Sequence, residues 1–198
     1  MTNSYGKLNT DRGQNKMSNF EEKTIKSTNI FDGKIISLQV DDVELPDGKH
    51  AKREIVKHPG AVAVLALTEK KEILFVEQYR KPLEKLLLEI PAGRIEEGEE
   101  PKVTAVRELE EETGYTTNQL TYISSFYTSP GFANEIIHIY MADTLKNLEI
   151  PVEGDEDEFI EIHKLSLDQA IKYVHEGKIQ DAKTNYAILY LQLLQQRK

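Results

Sequence analysis

Two segments near the N-terminus alternate between apolar and polar residues. Residues 34–43 and 51–57 have this pattern, which is typical of strands with one buried face. Between them, the sequence Leu45-Pro46-Asp47-Gly48 contains the proline and glycine of a tight turn. The pattern therefore predicts a β-hairpin.

Apolar runs further along the chain predict more strands. Residues 61–67 and 72–79 are separated by a short polar stretch, and both predict buried strands near the middle of a sheet. Further strands are predicted at residues 86–90, 120–127, 136–141 and 159–163.

Three helices are predicted from their end signals. The first runs from Glu100-Pro101 to Gly114, because proline suits a first helical turn and glycine favours the position after the last one. Ser166 and Gln169 form a capping box for a second helix that ends at Gly177, and residues 184–196 predict a third. Strands interleaved with three helices predict a mixed α/β sandwich.

The length of 198 residues fits one domain with additions at its N-terminus. Residues 1–19 are polar, lack periodicity and contain a second methionine, which predicts a flexible leader. We expect residues 20–57 to form an N-terminal β extension and residues 58–198 to form the main domain.

The formal net charge of −9 argues against nucleic acid as a partner, because a broad phosphate-binding surface needs clustered lysine and arginine. An anionic small substrate could still bind if metal ions neutralise it locally. The absence of cysteine excludes disulfides and thiolate catalysis. No segment of the sequence has the features of a membrane span or a signal peptide, so we expect no membrane partner and a cytoplasmic location.

The first predicted helix carries three glutamates on one side. At about 100° per residue from Val103, Glu108, Glu111 and Glu112 fall between about 80° and 180°. Leu109 falls on the other side, so we expect the apolar side to pack on the sheet and the carboxylates to lie on an exposed face.

Like charges at these spacings repel one another. A divalent cation would offset the repulsion, and a set of oxygen ligands favours Mg²⁺ or Mn²⁺ over zinc. Arg107 lies one turn before Glu111 and can donate a hydrogen bond to it. Gly93 and Gly98 allow the preceding loop to fold back, so that the carbonyl of Ala92 can add a ligand.

The alternative is a solvated acidic helix face, which three glutamates alone would favour. The full spacing weighs against it. Gly93 is followed six residues later by Glu99, and then by Arg107-Glu108-Leu109-Glu110-Glu111-Glu112-Thr113-Gly114. This arrangement resembles the Nudix box at every fixed position, except that Tyr115 stands where an aliphatic residue is usual.

The resemblance to Nudix hydrolases extends from about Phe20 to near the C-terminus. It implies an α/β/α sandwich with a mixed sheet that hydrolyses a nucleoside diphosphate linked to another group. Pro130 lies 16 positions beyond Gly114, as in the ADP-ribose pyrophosphatase branch. The implied reaction is Mg²⁺-dependent hydrolysis of ADP-ribose to AMP and ribose 5-phosphate.

The resemblance also implies roles for individual residues. Glu108 and Glu112 are the main metal ligands, assisted by Glu111 and the Ala92 carbonyl. Arg107 and Glu111 are also assigned to catalysis. The acidic loop at residues 153–158 could be solvated charge. In similar enzymes this loop carries the general base, so we assign Glu156 as base and Glu158 as metal ligand. Substrate contacts are expected from Arg80, Glu89, Gly93, Pro130, Gly131 and Glu135.

Several alternatives remain open. Arg80 could equally be a surface ion-pair partner, and the five scattered histidines are interpreted as structural. The substrate could be a nucleotide sugar, a dinucleotide or an oxidised nucleotide. The chain could also bind ADP-ribose without cleaving it, or have only a structural role. The N-terminal hairpin resembles the segment through which related enzymes dimerise, so we expect a homodimer.

Overall fold

The computed structural model of the protein describes residues 20–150, residue 152 and residues 159–196. Its strands are β1 (Lys23–Asp32), β2 (Ser37–Glu44), β3 (His50–Lys57), β4 (Ala61–Ala66), β5 (Ile73–Arg80), β6 (Lys85–Glu89), β7 (Ala92–Arg94), β8 (Tyr115–Thr116), β9 (Thr121–Tyr127), β10 (Ile136–Ala142), β11 (Lys146–Asn147) and β12 (Ile160–Leu165). Its helices are α1 (Pro101–Thr113), α2 (Leu167–His175) and α3 (Ala182–Gln196), and a 3₁₀ turn covers Lys81–Leu83. Within these described residues, no helix combines the length and the apolar character needed to cross a membrane.

The predicted hairpin is confirmed, and it belongs to a larger antiparallel sheet. β2 pairs with β3 from Ser37 opposite Lys57 onwards. In the turn, the Gly48 amide donates a 2.9 Å hydrogen bond to the Leu45 carbonyl. β1 pairs with the other edge of β2 and was not predicted. All of its residues are exposed, so its sequence has no buried face to produce regular alternation.

The main domain contains a four-stranded mixed sheet in the order β7-β4-β10-β9, in which β4 and β10 are parallel. A three-stranded antiparallel sheet in the order β12-β5-β6 lies beside it. The two apolar runs predicted to be central strands form β4, which is buried throughout, and β5.

Alternate residues of β4 and β5 pack into two separate clusters. Val62, Val64 and Leu74 pack with Ala105 and Leu109 of α1. The intervening residues of these strands pack against α2 and α3 in a cluster that includes Ala63, Leu65, Phe75, Ala170, Ala187, Ile188 and Leu191. One helix therefore covers one face and two helices cover the other, which confirms the α/β/α sandwich.

The predicted helix ends are confirmed, with small corrections. Gly114 has φ 69° and ends α1, and the capping box of Ser166 and Gln169 begins α2. The third helix begins at Ala182, two residues before the predicted start. There, Asp181 accepts a 2.9 Å hydrogen bond from the Thr184 amide, as an N-cap residue does. The short strands β7, β8 and β11 and the 3₁₀ turn were not predicted.

Candidate active site

Two glutamates of α1 are buried, and Glu110 and Glu111 are half-buried. Only 9% of Glu108 and 6% of Glu112 is exposed, whereas 57% of Val103 is exposed. The expectation that these two carboxylates lie on an exposed helix face is therefore wrong. The side of α1 that faces the protein interior therefore includes Glu108 and Glu112 as well as the buried Leu109.

Gly93 explains how Glu108 fits beside β7. A Cβ atom built on Gly93 would lie 1.9 Å from the Cδ of Glu108. No side chain can share that space, so the carboxylate occupies a position that only glycine leaves open. Gly93 was predicted to contact substrate, and the structure shows that it provides room for a carboxylate of the motif.

Ala92 binds the second buried carboxylate. Its backbone N–H donates a 2.9 Å hydrogen bond to Oε2 of Glu112. This contact links β7 to the last turn of α1 and places Ala92 beside a predicted metal ligand. The role of the Ala92 carbonyl as a further ligand stays a prediction.

Arg107 connects three carboxylates. Its Nη1 donates hydrogen bonds to Glu108 at 2.8 Å and to Glu111 at 2.9 Å, and the latter is the contact expected from the sequence. Its Nε and Nη2 donate to Glu99 at 3.1 Å and 3.0 Å. Nη2 also donates to the carbonyl of Arg94 at 3.2 Å. One guanidinium therefore ties the loop before α1, the helix and β7 together.

Glu99 had no assigned role in the sequence analysis, although it occupies a fixed position of the motif. The hydrogen bonds from Arg107 lower the pKa of Glu99 to about 2, with smaller contributions from Thr104 and the Glu96 amide. The same hydrogen bonds to Glu99 raise the pKa of the Arg107 guanidinium above its ordinary value. Both groups therefore stay charged at neutral pH.

This side-chain set is suited to a hard divalent cation. Glu99, Glu108, Glu111 and Glu112 bring four carboxylates, against the single positive charge of Arg107. All of these carboxylate donors are oxygen atoms, which Mg²⁺ and Mn²⁺ prefer. The net negative charge and the partly enclosed setting fit the predicted metal site.

Arg80 and Glu89 form a neighbouring ion network. Arg80 donates two hydrogen bonds to Glu89, at 2.7 Å and 2.9 Å. Lys183 of α3 also contacts Glu89, and it lies 3.1 Å from Asp181. Burial alone would raise the pKa of Glu89, but the hydrogen bond from Arg80 and the charge of Lys183 outweigh it, so the pKa is lowered.

The network lies within electrostatic reach of α1. The pKa of Arg80 is raised, first by its hydrogen bond to Glu89 and also by the charge of Glu112. The structure thus shows Arg80 as an ion-pair partner, and its predicted contact with substrate stays a prediction. Lys183 was missed because a single lysine in an apolar helix carries no sequence signal of a partner 94 residues away.

The loop at residues 128–135 packs on the N-terminal sheet. Val56 of β3 donates a 2.8 Å hydrogen bond to the Phe132 carbonyl and accepts one of 3.2 Å from the Asn134 amide. Glu135 lies 3.7 Å from His58. Burial lowers the pKa of His58, an effect that Glu135 opposes and Arg94 reinforces. The predicted substrate residues Pro130, Gly131 and Glu135 thus lie in a loop attached to β3, and their contact with substrate remains a prediction.

Two of the predicted site residues, Glu156 and Glu158, lie outside the described residues.

Two family models match the chain. Residues 57–186 match the model described as NUDIX domain. Residues 22–56 match the model described as nucleoside diphosphate sugar hydrolase N-terminal domain.

Known proteins resemble the chain over most of its length. It is 60% identical to the ADP-ribose pyrophosphatase of Bacillus subtilis (strain 168), over 89% of this chain and 96% of that protein. It is 59% identical to the methanol dehydrogenase activator of Bacillus methanolicus, over 88% of this chain and 94% of that protein. A crystal structure of an ADP compounds hydrolase matches with a TM-score of 0.78 at 20% identity, over 88% of this chain and 94% of that one, which supports the fold.

The Gly93→Ala substitution tests the packing of Glu108 against β7. The new methyl group would overlap the carboxylate, so we expect the affinity for Mn²⁺ to fall by about tenfold or more. Electron paramagnetic resonance of free Mn²⁺ measures this affinity. Gly131→Ala is the matched control, because a Cβ there meets nothing within 4 Å. Unchanged Mn²⁺ affinity in a folded Gly93→Ala protein would contradict the assignment.

The Glu99→Gln substitution tests the Arg107 network through pH. The folded-state pKa of Glu99 is lowered from 4.5 to about 2, so its contribution to stability is fully present above pH 4.5 and is lost as the pH falls towards 2. We expect the difference in thermal midpoint between the wild type and Glu99→Gln to be constant near neutrality and to shrink through that range. Glu97→Gln removes a charge from an exposed position of the same loop and serves as control. A difference that does not depend on pH would refute the role of the ion pairs.

Proposed function

The chain belongs to the NUDIX family, and we propose that it is an enzyme that hydrolyses the diphosphate of ADP-ribose to AMP and ribose 5-phosphate. The observation that carries this proposal is the buried carboxylate set of α1, held by Arg107 against β7. It occurs in a chain that is 60% identical to an ADP-ribose pyrophosphatase along nearly its whole length. The identity supports the substrate, and the carboxylates support the chemistry.

The proposed metal ligands are Glu108 and Glu112, assisted by Glu111 and the carbonyl of Ala92. We propose Mg²⁺ as the physiological ion and consider Mn²⁺ a competent substitute. Such ions supply the positive charge that neutralises the diphosphate oxygens, and they make water more acidic. The chain itself has a net charge of −9, so its own side chains provide little of that neutralisation.

The remaining roles follow from the predicted residues. Glu156 accepts the proton of the attacking water, and Glu158 binds metal. Arg107 keeps Glu111 and Glu108 oriented through the hydrogen bonds described above. For Arg80 we propose a contact with substrate phosphate, supported by its hydrogen bond to Glu89 and by the effect of the Glu112 charge on its pKa. Glu89 and Gly93 then line the same region, whereas Pro130, Gly131 and Glu135 approach from the loop on β3.

A nucleotide sugar is the main alternative substrate. It is supported by the match of residues 22–56 to the N-terminal domain of nucleoside diphosphate sugar hydrolases. A protein that binds ADP-ribose without cleaving it is less well supported, because a binding module has no need for the full carboxylate set.

A second candidate function is the activation of an alcohol dehydrogenase. The methanol dehydrogenase activator is almost as similar to this chain as the pyrophosphatase is, at 59% against 60% identity. Adding the protein to a methanol dehydrogenase assay tests this function directly. No change in the dehydrogenase rate would remove the candidate.

Product analysis tests the proposed reaction. With ADP-ribose and Mg²⁺ we expect AMP and ribose 5-phosphate, formed faster than products from GDP-mannose or a dinucleotide. Glu112→Gln should lower kcat by about 10²-fold or more, since a ligand charge is lost. The fold should persist, because the glutamine side-chain oxygen can still accept the hydrogen bond from Ala92. Glu110→Gln, on the same helix, is the matched control.

Two results of this assay would contradict the proposal. Near-normal turnover by Glu112→Gln would contradict its assignment as a metal ligand. Faster cleavage of a nucleotide sugar than of ADP-ribose would contradict the proposed substrate. The loop roles are separated in the same assay. Glu156→Gln should lower kcat by about 10² to 10⁴-fold, whereas Glu158→Gln should raise the Mg²⁺ concentration needed for the half-maximal rate. If the two effects are exchanged, so are the roles.

We also propose that the protein is a homodimer formed through its N-terminal sheet. This sheet and the residues beside it expose six large apolar side chains, namely Phe20, Ile25, Ile30, Phe31, Ile35 and Ile36. Exposed apolar side chains of that number favour burial against a second copy. Sedimentation should show twice the mass of one chain, and Ile30→Glu should give monomers. Leu189→Glu, at an exposed apolar position of α3, is the control. A wild-type monomer with full activity would refute the dimer.

A further inference from the structure

Two glutamates face each other across neighbouring strands on the α2 side of the main domain. Glu161 of β12 is paired directly with Glu77 of β5, and His163 is paired with Phe75. Residues two apart on a strand share a face, so the three polar side chains lie together. Like charges directly opposite each other destabilise a strand pair. Within the described chain, the only basic side chain within ion-pair distance of Glu77 or Glu161 is His163.

His163 directs one ring nitrogen at both carboxylates. Its Nε2 lies 3.4 Å from Oε2 of Glu77 and 3.9 Å from Oε1 of Glu161. This atom is shielded from solvent and has no hydrogen-bond partner in the part of the chain that the structure describes. In the described structure this nitrogen therefore lies between two carboxylates without a hydrogen bond to either.

The three donor atoms have the spacing of metal ligands. One ligand atom from each of Glu77, Glu161 and His163 lies within 4.8 Å of the other two. Tetrahedral zinc has bonds of about 2.0–2.2 Å to nitrogen and oxygen, which places neighbouring ligand atoms roughly 3.4 Å apart. The distances from His163 need to change by no more than about half an ångström to satisfy this geometry. A mixed set of one imidazole and two carboxylates suits zinc-type ions, whereas Mg²⁺ prefers oxygen ligands alone.

We propose that Glu77, Glu161 and His163 bind a divalent transition-metal ion, with zinc as the best fit. The ion links β5 to β12 and offsets the repulsion between the two glutamates. An open groove of about 380 Å³ lies beside Glu77 and His163, with Tyr173 and Lys178 on its wall. The groove leaves the fourth coordination position accessible to water.

This site is separate from the carboxylates of α1. Glu77 and His163 lie on the same sheet face as Phe75, which packs in the cluster of α2 and α3. Leu74, on the opposite face of β5, packs with Leu109 of α1. The sheet therefore stands between the two sites, and the proposal does not depend on the proposed hydrolysis.

Zinc binding in the presence of excess Mg²⁺ tests the proposal. Mg²⁺ occupies oxygen-only sites, so titration calorimetry should then report one zinc per chain. With zinc at ten times its dissociation constant, the thermal midpoint should rise by about 3–6 °C. His163→Gln and Glu77→Gln should each weaken zinc binding by about tenfold or more. Glu112→Gln and His50→Gln, which alter the α1 site and an exposed histidine, should retain it.

Each variant gives a result that either supports or overturns the zinc site. If His163→Gln does not fold, Glu77→Gln carries the test alone, because it keeps the size and shape of the side chain. The proposal is overturned if the wild type binds no zinc under excess Mg²⁺. It is also overturned if zinc binding survives both substitutions, or if Glu112→Gln alone abolishes it.

Discussion

The packing of the Glu108 carboxylate against β7 is the constraint on which the rest of the candidate active site depends. A buried carboxylate costs several kcal/mol unless its charge is compensated. Here the space comes from the missing side chain of Gly93, and the compensation comes in part from Arg107, 2.8 Å away. Arg107 also holds Glu99 and Glu111. The loop, the helix and the strand are therefore fixed relative to one another by one carboxylate and one guanidinium.

The helix that carries this site is electrostatically unfavourable on its own. Its glutamates crowd the C-terminal half, where the helix dipole is negative, and its last turn contains no basic residue. Tertiary contacts offset that cost. Ala105 and Leu109 are fully buried, Gly114 ends the helix without strain, and the Ala92 amide binds Glu112. The local conflict is confined to the residues proposed to bind metal, as expected for a functional site.

The two faces of β5 separate two groups of charged residues. Arg80 lies on the same face of β5 as Leu74, where it donates a hydrogen bond to Glu89, and the charge of Glu112 contributes to raising its pKa. Glu77 lies on the α2 side with Glu161 and His163. Apolar neighbours such as Leu74 and Phe75 keep the two groups apart. One strand can therefore contribute to both groups because successive side chains alternate between its faces.

The sequence by itself determined the features that depend on short-range geometry. The turn at Leu45 to Gly48, the capping box of Ser166 and the end of α1 at Gly114 all rest on backbone angles and hydrogen bonds between near neighbours. The family and the residues of its motif could also be identified from the sequence, because the motif is defined by fixed spacings along the chain.

Tertiary structure decided which groups are buried and which distant groups meet. Helical periodicity placed Glu108 and Glu112 on one side of the helix, but their burial depends on the space at Gly93 and on the amide of Ala92. The contact of Lys183 with Glu89, 94 residues away, and the approach of His163 to Glu77 depend on how the helices and strands pack. β1 left no pattern because none of its residues is buried. The periodicity of apolar residues indicates which face of one strand or helix is buried. Contacts between elements depend on residues far away in the sequence, which the local pattern does not specify.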